Sequence, residues 1–517
     1  MYPGHWATIQ GEKAAAIDSE TGESISYTEL NNRSNQLAQL LYAKGLRKGD
    51  HIALFMENNI CYFEVLWAAL RSGLHITPIN RYLSADETAY IINNCEAKVL
   101  ITSAYLSAVA EELAKKVARC KTLLMTDGAS PSYQAYESEL DKHSSEPLEN
   151  EPEGSPMIYS SGSTGQPKGI VQPLPDRQLK DYPEKALALQ KHFFDFDSNT
   201  IYLSTAPSYH SIPLGQILAT QRLGGTVVMM PKFDALEALW AIEEYKITHA
   251  TWVPTMFSRI LKLTEAEQKQ YDISSMKVAV HGGAPCPKQV KQEMIDLWGP
   301  IFFEIYGSTE GLGLTVSNSK EWLARPGTIG KALWGIPHVC DEAGNELPIG
   351  ESGHIYFEMK NVAFHYHNDN KKTNKCKHPL YDNWGTVGDI GYLDEDGYLF
   401  LNDRADFMII SGGVNIYPQE LEDTLIMHPK VADVAVFGIP HEDMGEEVKA
   451  VVQLEANISS SDTLEKELIT YAKEKMAHYK CPRSIDFVTD FPRLPTGKLY
   501  KKPLKEKYWR NRESSVI

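Results

Sequence analysis

Residues 302–311 read FFEIYGSTEG, a short strand-like run that stops at an aromatic ring, a glycine turn, two hydroxyls and a carboxylate. The same form recurs upstream in IYLSTA (201–206), TVVMM (226–230), HATWVP (249–254) and KVAVHG (277–282). Each is a brief apolar run that ends in small or polar residues. Nearer the N-terminus, HIALFM (51–56) and KVLIT (98–102) alternate with helical spacing over 27–45 and near 60–73, and Gly45 is a natural helix stop. Strands alternating with helices at this rhythm predict an α/β fold with largely parallel sheets covered by helices. In such sheets ligands gather where strands end at their carboxyl edge, so those ends are the places to look.

Residues 126–154 are polar and acidic and read as a connector. From about 326 to 402 the helical periods vanish, and turn signals such as DEAGNE and DEDGY separate short strands. A last unit over 405–517 mixes strands (VADVAVFGI, KAVVQL) with a helix near 463–477 and a basic tail around Lys498–Lys507. A single core seldom grows past roughly 250–300 residues, so 517 residues require subdivision. The expected organisation is a large N-terminal domain, 1–404, of two parallel-sheet α/β subdomains (about 1–170 and 171–325) and a small β-rich one (326–402). A smaller, mobile α+β domain, 405–517, follows.

With 43% hydrophobic and 23% charged residues the composition is ordinary for a globular protein. A net charge of −17 argues against a nucleic-acid partner and means that any anionic ligand needs local donors to overcome the global field. The seven scattered cysteines never form CxxC, which disfavours a disulfide framework or zinc site and fits a reducing compartment. No apolar run has the length of a transmembrane segment, and the N-terminus lacks a secretory pattern, so a cytoplasmic location is expected.

Four stretches carry the chemistry. YSSGSTGQPKGI (159–170) combines glycine turns, hydroxyls and a lysine, which suits a polyphosphate, although the spacing is not GxxxxGK[ST] and a flexible loop is the competing reading. In YGSTEG (306–311), Tyr306 could stack on a base, Thr309 could bond a phosphate oxygen and Glu310 could hold Mg²⁺; alone, a strand-end turn explains it equally. GDIGYLDEDGYLFLNDRADFMIISGGVNIYPQELE (388–422) offers Asp389 to two ribose hydroxyls and Arg404 as a rigid fork of donors. PTGK (495–498) is a short turn with one lysine.

Together, in this order and at these separations, the four resemble the acyl-adenylate-forming (ANL) family of acyl-CoA synthetases, peptide-synthetase adenylation domains and firefly-type luciferases. The run DRADFMIISGGVNIYPQELE looks most like bacterial fatty-acyl- and related acyl-CoA ligases. The resemblance implies ATP, Mg²⁺ and coenzyme A as cosubstrates and cofactor. Ser160, Ser161, Gly162, Ser163, Thr164, Gly165 and Lys168 match the loop that holds the β- and γ-phosphates. Gly282, Gly283 and Ala284 in HGGAP match the segment lining the adenine, with Tyr306 stacked on it. Thr309 and Glu310 match the phosphate and magnesium ligands, and Asp389 and Arg404 the ribose pair. Lys498 matches the lysine that bridges carboxylate and α-phosphate, and His210 in PSYHSIP a position beside the acyl carboxylate. Asp406 matches the domain hinge, and Gly412 and Gly413 the loop that meets pantetheine.

Two departures stand out. The family's Thr-Gly-Asp is here Val387-Gly388-Asp389, which loses a hydroxyl, and the polar stretch 369–385 has no clear register. The resemblance implies acid activation through an acyl-AMP, then transfer to the thiol, with a homodimer as a compatible assembly. Free CoA is the expected acceptor because the chain ends soon after PTGK with no carrier domain; a stand-alone enzyme loading a carrier protein is the alternative. Luciferase-like oxidation is a rare use of the fold, and a non-catalytic nucleotide sensor would have no need of Lys498, Glu310 and Thr309 together. Tyr209, Trp252, Met256 and Leu312 lie near family positions that line the acyl pocket, or are core. They suggest an apolar carboxylic acid as substrate: fatty, aryl-alkanoic or a steroid side chain.

Overall fold

Ser26 opens the first long helix, Tyr27–Ala43. Its hydroxyl accepts the Glu29 N–H at 3.2 Å, while the Glu29 carboxylate accepts the Ser26 N–H at 2.9 Å. Leu30, Leu37, Leu40 and Leu41 turn inward from this helix, and Gly45, at φ +89°, ends it. The computed structural model describes residues 1–160, 167–412, 414–442, 444–493 and 499–509.

The helix covers a six-stranded parallel sheet. Its order is Gln134–Ala135, Thr122–Thr126, Val99–Ser103, His51–Phe55, His75–Ile79 and Ser155–Pro156. Val99–Ser103 and His75–Ile79 are buried along their whole length, which is why VLI in the first reads as a continuous rather than alternating apolar run.

A second sheet has parallel strands in the order Ala14–Asp18, Thr226–Met229, Ile201–Ser204, His249–Trp252, Val278–Gly282 and Phe302–Gly307. The first of these comes from the N-terminal segment, so the stretch expected to form one α/β subdomain lends a strand to the next. The β-rich region is present but has no sheet of its own. Thr328–Trp334 pairs with Leu314–Asn318 on one side and Leu399–Arg404 on the other, so antiparallel strands simply extend the second sheet.

The acidic connector is more ordered than its sequence suggests. It supplies the helix Tyr136–Leu140, and its end is held by buried carboxylates: Glu151 with Arg71 at 3.3 Å and Glu153 with Arg222 at 2.9 Å. A three-stranded antiparallel ribbon joins His365–Tyr366, Lys168–Val171 and Ile158–Ser160. The polar stretch without a register opens with the short helix Asn370–Lys375.

The C-terminal region builds its own five-stranded sheet around Ile409–Ser411, Val431–His441 and Gly445–Leu454, packed by the helices Pro418–Leu425 and Asp462–Lys475. Leu421, Val436, Val452 and Leu468 form its separate core. Among the described residues no helix is long and apolar enough to cross a membrane. All seven cysteines are free thiols.

Candidate active site

The strand Phe302–Gly307 delivers Tyr306 to the carboxyl edge of the second sheet. Its hydroxyl donates to Asp389 Oδ2 at 2.5 Å, and Asp389 Oδ1 lies 3.0 Å from Arg404 Nε. Asp389 and Arg404 are direct cross-strand partners, so sheet register itself sets the pair. Burial, and then the Asp389 carboxylate, push the Tyr306 phenol well above its ordinary pKa and keep it a proton donor. An aromatic face, a carboxylate and a guanidinium are thereby joined, which is the donor set for a nucleoside. One position upstream of Val387, Thr386 Oγ1 accepts the Gly388 N–H at 3.1 Å and donates to the Ile355 carbonyl at 2.7 Å, which fixes the turn that leads into Asp389.

The neighbouring strand Val278–Gly282 ends level with Tyr306. Gly282 is obligatory on steric grounds, since a Cβ there would lie 2.5 Å from the Ile305 carbonyl oxygen. Gly283 follows at φ +78°, and Gly283 and Ala284 are exposed at the rim.

After Tyr306 the chain turns through Ser308–Gly311. Thr309 Oγ1 lies 3.3 Å from Ser211 Oγ, which brings it to the start of the helix Ser211–Leu223, whose N-cap is His210. The Tyr209 ring meets the His210 ring edge-on at 4.5 Å. Glu310 is held twice: its carbonyl accepts from Gln172 Nε2 at 2.9 Å, and Oε1 accepts the Tyr366 hydroxyl at 2.6 Å. Among the described residues no three His, Cys, Asp or Glu side chains group as a metal cage. Magnesium normally takes one or two carboxylates together with substrate phosphates, so a single well-oriented Glu310 fits such an ion.

Ser160 and Lys168 pair across the ribbon that closes this side, and the Lys168 ammonium forms an ion pair with Asp369. Lys372 stands beside them, its ammonium 4.3 Å from the centroid of the Tyr366 ring. Burial and then the Lys168 charge lower the Lys372 pKa, while Glu310 acts in the opposite direction. Tyr366, Asp369, Lys372 and Gln172 belong to none of the four motifs. The polar stretch 369–385, which has no clear register, contains Asp369 and Lys372 but neither Tyr366 nor Gln172.

Ser161, Gly162, Ser163, Thr164, Gly165, Gly413 and Lys498 lie outside the described residues, as does the Asp406 side chain. Gly412 adopts φ +58° and donates its N–H to the Met444 carbonyl at 2.7 Å. Among the acyl-pocket candidates, Trp252 is fully buried, with the Phe233, Phe257 and Trp298 rings at 6.3, 6.1 and 5.3 Å. Met256 belongs to the same core. Leu312 belongs to another, with Ile355 and Phe357.

The sequence matches the family described as AMP-binding enzyme over residues 4–367, and the C-terminal domain of AMP-binding enzymes over 420–498. It is 32% identical over 495 residues to a feruloyl-CoA synthase of Amycolatopsis sp, covering 94% of each chain. It is 29% identical over 494 residues to the fatty acid–[acyl-carrier-protein] ligase ScoC of Streptomyces coeruleorubidus, covering 94% of this chain and 92% of that one. The anthranilate CoA ligase AuaEII, solved with anthranoyl-AMP, has the same fold, with a TM-score of 0.86 at 24% identity over 98% of this chain and 96% of that one.

Proposed function

The chain belongs to the family of AMP-binding enzymes and is an AMP-forming acid–thiol ligase; we propose that its acid is apolar, that its acceptor is the CoA thiol, and that the residues gathered around Tyr306 carry the reaction. The observation that supports this most is the linked array Tyr306–Asp389–Arg404 beside Thr309 and Glu310.

A carboxylate resists nucleophiles because its charge repels them and oxide is a poor leaving group. Attack of a carboxylate oxygen on the ATP α-phosphorus, with the α–β bridging bond broken, gives an acyl-AMP and pyrophosphate. The thiol then attacks the acyl carbon, AMP leaves, and the thioester remains. Such chemistry needs positioning and charge neutralisation above all. In this reading Asp389 and Arg404 hold the ribose, Tyr306 and the Gly282–Ala284 rim hold the adenine, and Thr309 and Ser160–Lys168 hold phosphate oxygens. Mg²⁺ bound at Glu310 would supply further neutralisation of the phosphates. His210 stands beside the acid, Lys498 bridges the acid and α-phosphate, and Gly412 and Gly413 face the pantetheine. The units 1–404 and 405–517 swing about Asp406 between the two half-reactions.

Aryl and fatty acids are both represented among the similar ligases. The similarity to a ligase that loads an acyl carrier protein keeps such a carrier as the second acceptor. Pyrophosphate release with a panel of acids, ATP, Mg²⁺ and either CoA or a phosphopantetheinylated carrier would identify both. Lys498→Ala is expected to slow acyl-AMP formation by at least about a hundredfold while leaving CoA attack on a supplied acyl-adenylate unchanged. Equal loss of both half-reactions would refute the role given to Lys498.

A further inference from the structure

The lysine-rich stretch after Asn368 lies against the phosphate side of the site. Asp369 does two jobs there. One carboxylate oxygen takes the Lys168 ammonium, and the other accepts the Lys372 N–H at 2.9 Å, capping the helix Asn370–Lys375. That cap fixes where Lys372 leaves the backbone, and its ammonium comes to rest 4.3 Å from the centroid of the Tyr366 ring. The hydroxyl of that ring donates to Glu310 Oε1. Lys168, Lys372 and Glu310 therefore share one small volume.

We propose that Lys372 is a second phosphate-contacting lysine, which binds the terminal phosphates of ATP and the departing pyrophosphate opposite Lys168. The proposal rests on the reading of this site as an ATP site. Lys372 is half-buried, and among the described residues it makes no ion pair with a carboxylate. Its contact with the Tyr366 face offsets part of the lost hydration but supplies no counter-charge. A like charge, Lys168, stands close enough to disfavour its ammonium. Lys168 and Lys372 stand together with the Asp369 and Glu310 carboxylates, and the oxygens of an arriving polyanion would accept from both ammonium groups. A chain of net charge −17 also needs concentrated local cations to hold such a ligand. The other lysines of the helix, Lys371 and Lys375, are exposed.

Binding of inorganic pyrophosphate to the full-length protein, followed by calorimetry, tests the idea without turnover. Lys372→Met is expected to weaken pyrophosphate binding about tenfold, Lys372→Arg to restore most of it, and Lys375→Met on the same helix to leave it unchanged. In steady state Lys372→Met should raise KM for ATP by a similar factor without changing KM for the acid. Pyrophosphate affinity of Lys372→Met within twofold of the parent, or an equal loss in Lys375→Met, would overturn the proposal. Failure of the unsubstituted protein to release pyrophosphate with any acid would sink the ATP reading instead, and the calorimetry would still report on the anion site.

Discussion

Gly282 shows how much one missing side chain decides. The strands Val278–Gly282 and Phe302–Gly307 run side by side, with Gly282 opposite Ile305, and the Ile305 carbonyl occupies the space where a Cβ would stand. The obstacle is backbone in the middle of a sheet, so it has no rotamer to escape into. Gly282→Ala is expected to cost about 1–3 kcal/mol, read as a lower melting midpoint, and to raise KM for ATP because the rim Gly283–Ala284 moves with it. A variant with unchanged melting and unchanged KM would show that the strands part freely. Gly282, Tyr306, Asp389 and Arg404 were legible in the sequence because each sits inside a short local motif. Tyr366 and Asp369 were not: Lys168 reaches Asp369 because the ribbon pairs segments roughly two hundred residues apart, and Glu310 reaches Tyr366 from the turn after Phe302–Gly307, nearly sixty residues away. Thr386 illustrates the same limit on a smaller scale, since nothing in the sequence says that its hydroxyl bridges the Gly388 N–H and the Ile355 carbonyl.

At the scale of elements, the strands themselves were readable and their pairings were not. An apolar run announces a buried strand, but nothing in Ala14–Asp18 says that its neighbour is Thr226–Met229. Nothing in Thr328–Trp334 says that it will fuse the β-rich region to the second sheet. Register also creates unplanned neighbours. His51 and His75 begin adjacent parallel strands in direct register, and their rings stack at 4.6 Å, with His367 at 6.0 Å from His51. Burial first, then His75 and His367, lower the His51 pKa to about 4. The unfolded chain, with the ordinary value near 6.5, takes up this proton first. Stability from keeping His51 neutral is therefore complete above about pH 6.5 and is lost as pH falls from there toward 4. By pH 5 the loss amounts to about 2 kcal/mol. The melting midpoint should fall between pH 7 and pH 5 at constant ionic strength, and His51→Gln should reduce that fall. An identical fall in both proteins would place the acid sensitivity elsewhere.

For the whole molecule, the central question is whether its two bodies work in one arrangement or two. The C-terminal unit has its own sheet and its own core, and it touches the larger body through polar links and through Met427, which packs against the core around Trp252. Lys262, at the end of the helix Pro254–Leu261, forms an ion pair with Glu455, and its ammonium lies 3.5 Å from the Val431 carbonyl. The Gln419 N–H donates to Asp403 Oδ2 at 3.1 Å. Partly exposed ion pairs of this kind contribute only about 0–1 kcal/mol each, so they can be made and broken repeatedly during turnover. An apolar interface of the sort inside each unit could not be. In the proposed mechanism adenylation needs Lys498 beside the acid and closure against water, whereas thioester formation needs a path for a long thiol, and a rigid-body swing would reconcile the two. Cysteines at Lys262 and Glu455, bridged by a short bis-methanethiosulfonate cross-linker that spans the length of the two lost side chains, would hold the units in the arrangement seen here. The bridged double variant should carry out one half-reaction, acyl-AMP formation or CoA attack on supplied acyl-AMP, at close to the parent rate. The other should slow by about a hundredfold or more, and reduction should restore it, with each single cysteine variant as control. If the bridged protein performs both half-reactions unimpaired, one arrangement suffices and the swing is not part of the cycle.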